Sequence, residues 1–164
     1  MSVKKTIAVP YREGDWFAVP LRNARGYGLG RVARTNGQGK VLGYFFATRF
    51  EQVPVLADTK ELTAGGAKYV RFFGDLGLLQ GKWPILGQHG PWTRDEWPLP
   101  KFCRHFELDT QAHSVEYSDE TLQAVAEVEI SDEICKRMPR DGLSGFGAIE
   151  LALEKLIVSS AANP

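Results

Sequence analysis

The chain has 164 residues, of which 43% are hydrophobic and 24% charged, enough for one soluble domain with a buried core. Lys plus Arg and Asp plus Glu balance to a net charge of zero, with a pI near 6.8, which argues against a nucleic-acid binder held by bulk charge. No apolar run approaches the ~18–20 residues that cross a bilayer, so a membrane span is excluded.

The charge balance hides a polarity. Residues 1–50 carry nine Lys or Arg against two acids, whereas residues 101–164 carry six against twelve. Between His105 and Cys135 there is no Lys or Arg, but there are nine acids, Glu116, Asp119 and Glu120 among them. Either the two ends neutralise one another in the fold, or the acids form a surface that steers a basic partner.

In chain order, Lys4 and Lys5 precede an apolar run too short for a signal peptide, which predicts a protein kept in the cytoplasm. Asp15–Leu21 reads as a strand. Gly26–Arg34 alternates small and large residues, Asn36-Gly37 signals a hairpin turn, and Val41–Phe46 returns. Gly26, Gly28 and Gly30 have period two, which puts them on one strand face where backbone or rings approach closely. They are not a dinucleotide fingerprint, because position 31 is Arg and a strand follows. Phe46–Val55 and Lys68–Phe73 suggest further strands.

Gly74–Phe106 has neither helical nor strand period. It holds three of the four tryptophans, four prolines and five glycines, the composition of a long shaped loop. Trp83, beside Ile85 and Leu86, is expected in the core. Trp92 and Trp97 sit among Thr93, Arg94, Asp95 and Glu96, so at least one is expected at the surface as an interface anchor. Phe102–Leu108 and Ala112–Tyr117 suggest a hairpin, and Thr121–Ile130 a strand. Leu143, Phe146, Ile149, Leu153, Leu156 and Ile157 recur at helical spacing, with Ser144 as the expected N-cap.

No motif identifies an enzyme. Gly142–Phe146 misses the nucleophile-elbow pattern at Phe146, and no His follows it. Gly81-Lys82-Trp83 lacks the Ser or Thr of a phosphate loop. His89, His105 and His113 show no metal-ligand spacing. Cys103 and His105, two apart, fit a thiolate–imidazole pair or a structural pair, the latter preferred because no orienting acid is implied. Cys103 and Cys135 are expected as free buried thiols. Arg12, Arg22, Arg25, Arg31, Arg34 and Lys40 around Tyr27 and Tyr44 keep one alternative open, a nucleic-acid-binding small β-barrel.

Taken together, Gly14–Leu21, Gly28–Val32, Phe73–Leu78, Gly81–Gly87, Trp97–Phe102 and Gly145–Glu150 resemble, in order, the immunity protein 26 family of bacterial polymorphic-toxin systems. Gly14, Asp15, Gly28, Gly30, Trp83 and Gly147 carry the structural part of that pattern. The resemblance implies a non-catalytic protein without cofactor or metal. Its partner would be a cognate secreted toxin domain acting in the cytosol, such as a nuclease, rather than nucleic acid or membrane. Trp92, Trp97, Asp95, Glu96, Glu116, Asp119 and Glu120 are the candidate contact residues. The expected fold is a single α+β domain over 1–164, with a strongly bent antiparallel β-sheet. That sheet is expected to be an SH3-like barrel in the N-terminal half, closed by the tryptophan loop and a C-terminal amphipathic helix.

Overall fold

The computed structural model describes residues 9–23, 25–105 and 111–162. Strands β1 (Trp16–Pro20), β2 (Tyr27–Thr35), β3 (Lys40–Phe50) and β4 (Tyr69–Gly74) form an antiparallel meander. The Asn-Gly hairpin joins β2 to β3: Asn36 Oδ1 accepts from the amides of Gln38 and Lys40, and Gly37 and Gly39 take positive φ. The strand sought over Phe46–Val55 is the continuation of β3 to Phe50.

Both faces of this meander are apolar, and the side chains alternate between two cores. Phe17, Val19, Val32, Val41, Phe45 and Phe73 point to one; Trp16, Leu29, Ala33, Leu42, Tyr44, Phe46 and Phe72 point to the other. The first core is covered by helix α3 (Phe146–Ala162) through Ile149, Leu153 and Ile157, and by Trp83. The second is covered by the tryptophan loop and by a smaller sheet of β6 (Phe102–Arg104), β7 (Ala112–Tyr117) and β8 (Ala124–Ile130).

Cover on both faces explains why the expected barrel is not found. The large sheet is open, in the order β5-β1-β2-β3-β4-β9, with β5 (Ile85–Gly87) and β9 (Leu143–Ser144) at opposite edges. A sheet closes on itself to bury one face and remove its edges; here both faces already have partners. The sheet is also mixed, because β9 runs parallel to β4. The α+β class and the C-terminal helix stand.

The glycine row acts through close approach. A Cβ on Gly28 would lie 2.4 Å from Leu153 of α3, and one on Gly30 2.5 Å from the Phe17 ring. Trp83 is fully buried and stacks on Phe17 at 5.4 Å with an 11° interplanar angle. The loop that carries it is punctuated by α1 (Leu76–Leu79), β5 and a 3-10 turn at Arg94–Glu96.

Two expectations are corrected, on Ser144 and on the cysteines. Ser144 is not the N-cap of α3: it lies in β9, its hydroxyl accepts from Arg71 Nε at 2.9 Å, and the Gly145 carbonyl receives the first helical amide, that of Ile149. Glu150 and Glu154 are buried against the Arg22–Asn23 corner, where Arg22 pairs with Glu150 at 3.4 Å and the Asn23 amide donates to Glu154. A Cβ on Gly147 would meet the same Arg22 guanidinium, so that glycine admits the arginine. Cys103 and Cys135 are not free thiols but a disulfide, Cα–Cα 5.1 Å, between β6 and α2 (Asp132–Lys136). Leu108, the end of the expected first hairpin strand, and Glu107 and Asp109 lie outside the described residues.

Candidate functional site

Arg31 is the one charged residue in the middle of β2, flanked by Gly30 and Val32. Alternation sends it to the second core, where its guanidinium lies over three tryptophan rings: Trp16 at 4.8 Å, Trp92 at 4.7 Å and Trp97 at 4.8 Å from their centroids. Each ring face attracts the cation, and the residue is left 8% exposed. Burial pushes its pKa down to about 10, against the pull of Glu96 and Asp15. Its Nε donates to the Gly14 carbonyl at 2.9 Å.

The Gly14-Asp15 turn builds one side of this cage. Gly14 has φ +97°, and a Cβ there would meet the Trp92 ring at 3.0 Å. Asp15 is buried and accepts from the Arg12 amide and from Gln88 Nε2, each at 3.0 Å, tying the turn to the loop. Trp92 Nε1 donates to Glu13, which also pairs with Arg94. Glu13 and Glu120 together raise the Arg94 pKa, so that guanidinium stays charged.

Beside the cage lies an open groove of about 610 Å³. Trp16 and Trp97 line it together with Thr59 at the end of a 3-10 turn, the Thr63–Gly65 segment and His89–Pro91, with Thr59 Oγ1 and His89 Nε2 3.0 Å apart. Lys60 and Glu96 line it with opposite charges.

The structure redistributes the candidate residues. Trp97 is 3% exposed, packed edge-on to Trp16 and Tyr44, so it supports the groove from within. The 3-10 turn places Asp95 and Glu96 outside and folds Trp97 inward. Trp92 is half-buried under its bonds to Glu13 and Arg31. Glu116 is exposed on β7. Asp119 and Glu120 are exposed too, but each is paired, with Arg34 at 2.7 Å and with Arg94 at 2.9 Å. The neutralising reading of the charge polarity therefore accounts for part of the acidic stretch.

Four of the six basic residues of the nucleic-acid alternative are engaged in the same way, while Arg12 and Arg25 stay exposed. Arg34 is buried and bonded, Arg31 is caged, and Arg22 faces α3. Lys40 Nζ donates to the Leu122 carbonyl over the Phe72 and Tyr117 rings. Tyr44 is buried, so it offers no stacking platform. The disulfide likewise removes the Cys103 thiol from any pair with His105, whose ring lies 3.6 Å from Asp132.

Reading the residues singly missed the Arg31 cage. The available signal was an arginine flanked on both sides by glycine and apolar residues, at Gly28–Ala33. Its three ring partners come from β1 and from a loop more than sixty residues later, which no local pattern connects.

No helix among the described residues is long and apolar enough to cross a membrane. No curated protein and no solved structure matches the chain. A family profile described as Immunity protein 26 does match, over residues 12–114. That segment spans β1 to β6 and includes every residue of the cage and the groove. The match covers more than half of the chain in one continuous block, and the chain belongs to the immunity protein 26 family.

Proposed function

We propose that this protein, acting as one domain, neutralises a cognate secreted toxin by binding it directly, without catalysis, and covers the toxin's active site or substrate surface. The observation that carries the reading is the family match over residues 12–114. A cytosol-acting toxin, such as a nuclease, fits the acidic stretch, since a surface that grips nucleic acid is basic. Trp92, Asp95 and Glu96 at the loop and Glu116 on β7 are the proposed contact residues. Trp97, Asp119 and Glu120 act behind them, by holding the loop and its arginines.

Toxin domain and protein produced together test this. The toxin domain alone, made in the cytosol, is expected to kill cells, and co-production of this protein to rescue them. Toxicity that needs export to the periplasm contradicts the cytosolic reading, and failure of the two proteins to co-purify contradicts direct binding. Glu116→Lys is expected to slow association at low salt, because complementary charge acts mainly on the on-rate.

A further inference from the structure

The Arg31 guanidinium is an incomplete hydrogen-bonding group. It is 8% exposed and lines the groove. Nε has the Gly14 carbonyl, but among the described residues no acceptor meets Nη1 or Nη2, and no carboxylate forms an ion pair with it. A buried arginine normally has its planar fork filled by a carboxylate or phosphate. Here the tryptophan rings balance the charge without accepting the N–H bonds.

We propose that the groove is an oxyanion site in which the Arg31 fork receives a single carboxylate, with Trp16 and Trp97 against the apolar part of the ligand and Thr63 and His89 also in the lining. The volume of about 610 Å³ is that of a small-molecule or side-chain pocket. Charge selects a carboxylate over a phosphate. Lys60 and Glu96 cancel across the lining, so Arg31 supplies the net positive charge, which suits one negative charge and not two. Two sources present this chemistry, a free carboxylic acid and an acidic side chain of the toxin; the second rests on the function proposed above.

Titration of the purified protein with N-acetylglutamic acid α-amide, followed by tryptophan fluorescence and by the Arg31 guanidinium resonances, tests the site. Saturable one-to-one binding is expected, at least tenfold weaker for inorganic phosphate. Affinity should fall at least tenfold in Arg31→Lys, which keeps the charge and loses the fork. The same loss is expected in Thr63→Glu, which puts a carboxylate on an exposed wall residue and leaves the cage untouched. An unsaturable response, or equal binding in wild type and a folded Thr63→Glu variant, overturns the site. Toxin binding competed by the probe assigns the toxin side chain as source; probe binding that leaves the complex intact assigns a free acid. Probe binding without rescue from the toxin leaves the site standing and removes the toxin reading. Rescue without probe binding does the reverse.

Discussion

Arg34 of β2 reaches Asp119, eighty-five residues later in the turn between β7 and β8, with Nε donating to Oδ1 at 2.7 Å. A register shift between Val32 and Arg34 turns Arg34 toward the second core together with Ala33, which strict alternation would forbid. Its Nη1 also donates to the carbonyls of Ala33 and Trp97. One side chain thus joins the basic sheet, the tryptophan loop and the acidic stretch. Asp119→Lys leaves a buried guanidinium facing a like charge and is expected to cost about 2 kcal/mol, less than a fully buried pair because Asp119 is half exposed. Glu116→Lys, three residues earlier and on β7, is expected to stay within about 0.5 kcal/mol of wild type. Urea unfolding of the two variants checks the difference, and equal costs would contradict it.

Trp83 is expected to be the costliest single truncation. It contacts Phe17, Phe45 and Phe73, and a Cβ on Gly77 would lie 3.0–3.1 Å from its ring. Trp83→Ala should lose about 3–5 kcal/mol. Its Nε1 is buried with no hydrogen-bond partner among the described residues. Trp83→Phe, which deletes that unpaired donor, should therefore lose markedly less than the ring volume alone suggests. Thermal unfolding of both variants decides; equal losses would mean that Nε1 is satisfied in solution.

Gly28→Ala should separate helix from sheet. The added methyl falls 2.4 Å from Leu153 Cδ2 and 3.1 Å from its Cγ, so Leu153 must leave its rotamer or α3 must move. A loss of about 1–3 kcal/mol is expected, as for other overpacked cores. Faster amide exchange confined to α3 identifies the cause. Gly37→Ala, where nothing lies within 4 Å of the added Cβ, controls for glycine replacement at a strained φ without crowding.

The residue patterns legible in the chain were the local ones. β1, β2 and β3 could be read because glycine punctuation and an Asn-Gly turn frame them, and α3 because Ile149, Leu153 and Ile157 share one face. The open sheet was not legible: runs such as Val-Leu-Gly-Tyr-Phe-Phe at 41–46 are apolar on both faces, and only the three-dimensional covers show that neither face needs a barrel. The burial of Trp97 was not legible because its polar sequence neighbours turn away from it. The disulfide was hidden for a related reason, since Cys103 and Cys135 meet only once β6 and α2 pack together.

That disulfide closes a span of 32 residues containing β7 and β8. Chain-entropy reasoning gives such a loop about 3–4 kcal/mol of stabilisation, an upper figure where native packing is strained. The Cys103→Ala, Cys135→Ala double variant is expected to lose part of this, with proteolysis starting in β8, whose strand is exposed along its edge. Thiol trapping in producing cells reads the compartment as well: disulfides persist in oxidising compartments, so a fully reduced pair is expected if the protein works in the cytosol. A fully oxidised pair there would count against the cytosolic part of the proposed function.

Alkaline pH should loosen both cores in one window. Burial, ahead of every other cause, pushes Tyr11 up to about 12, and its hydroxyl donates to Asp75 Oδ2 at 2.8 Å. Burial does the same to Tyr117, also to about 12, and its hydroxyl donates to Asp141. In the unfolded chain a tyrosine loses its proton near pH 10. The folded state thus holds these two protons more tightly, and the stability they contribute is fully present below about pH 10 and lost as pH rises towards 12. Loss of either proton also sets a phenolate against a carboxylate. Phenolate absorbance should show three groups resisting ionisation, Tyr11, Tyr117 and the Tyr44 hydroxyl that burial also pushes up, and denaturant midpoints should fall between pH 10 and 12. Tyr11→Phe and Tyr117→Phe should each remove one late-titrating group and flatten that fall. Ionisation of all five tyrosines near pH 10 while the protein stays folded would show that neither hydroxyl is held by its carboxylate.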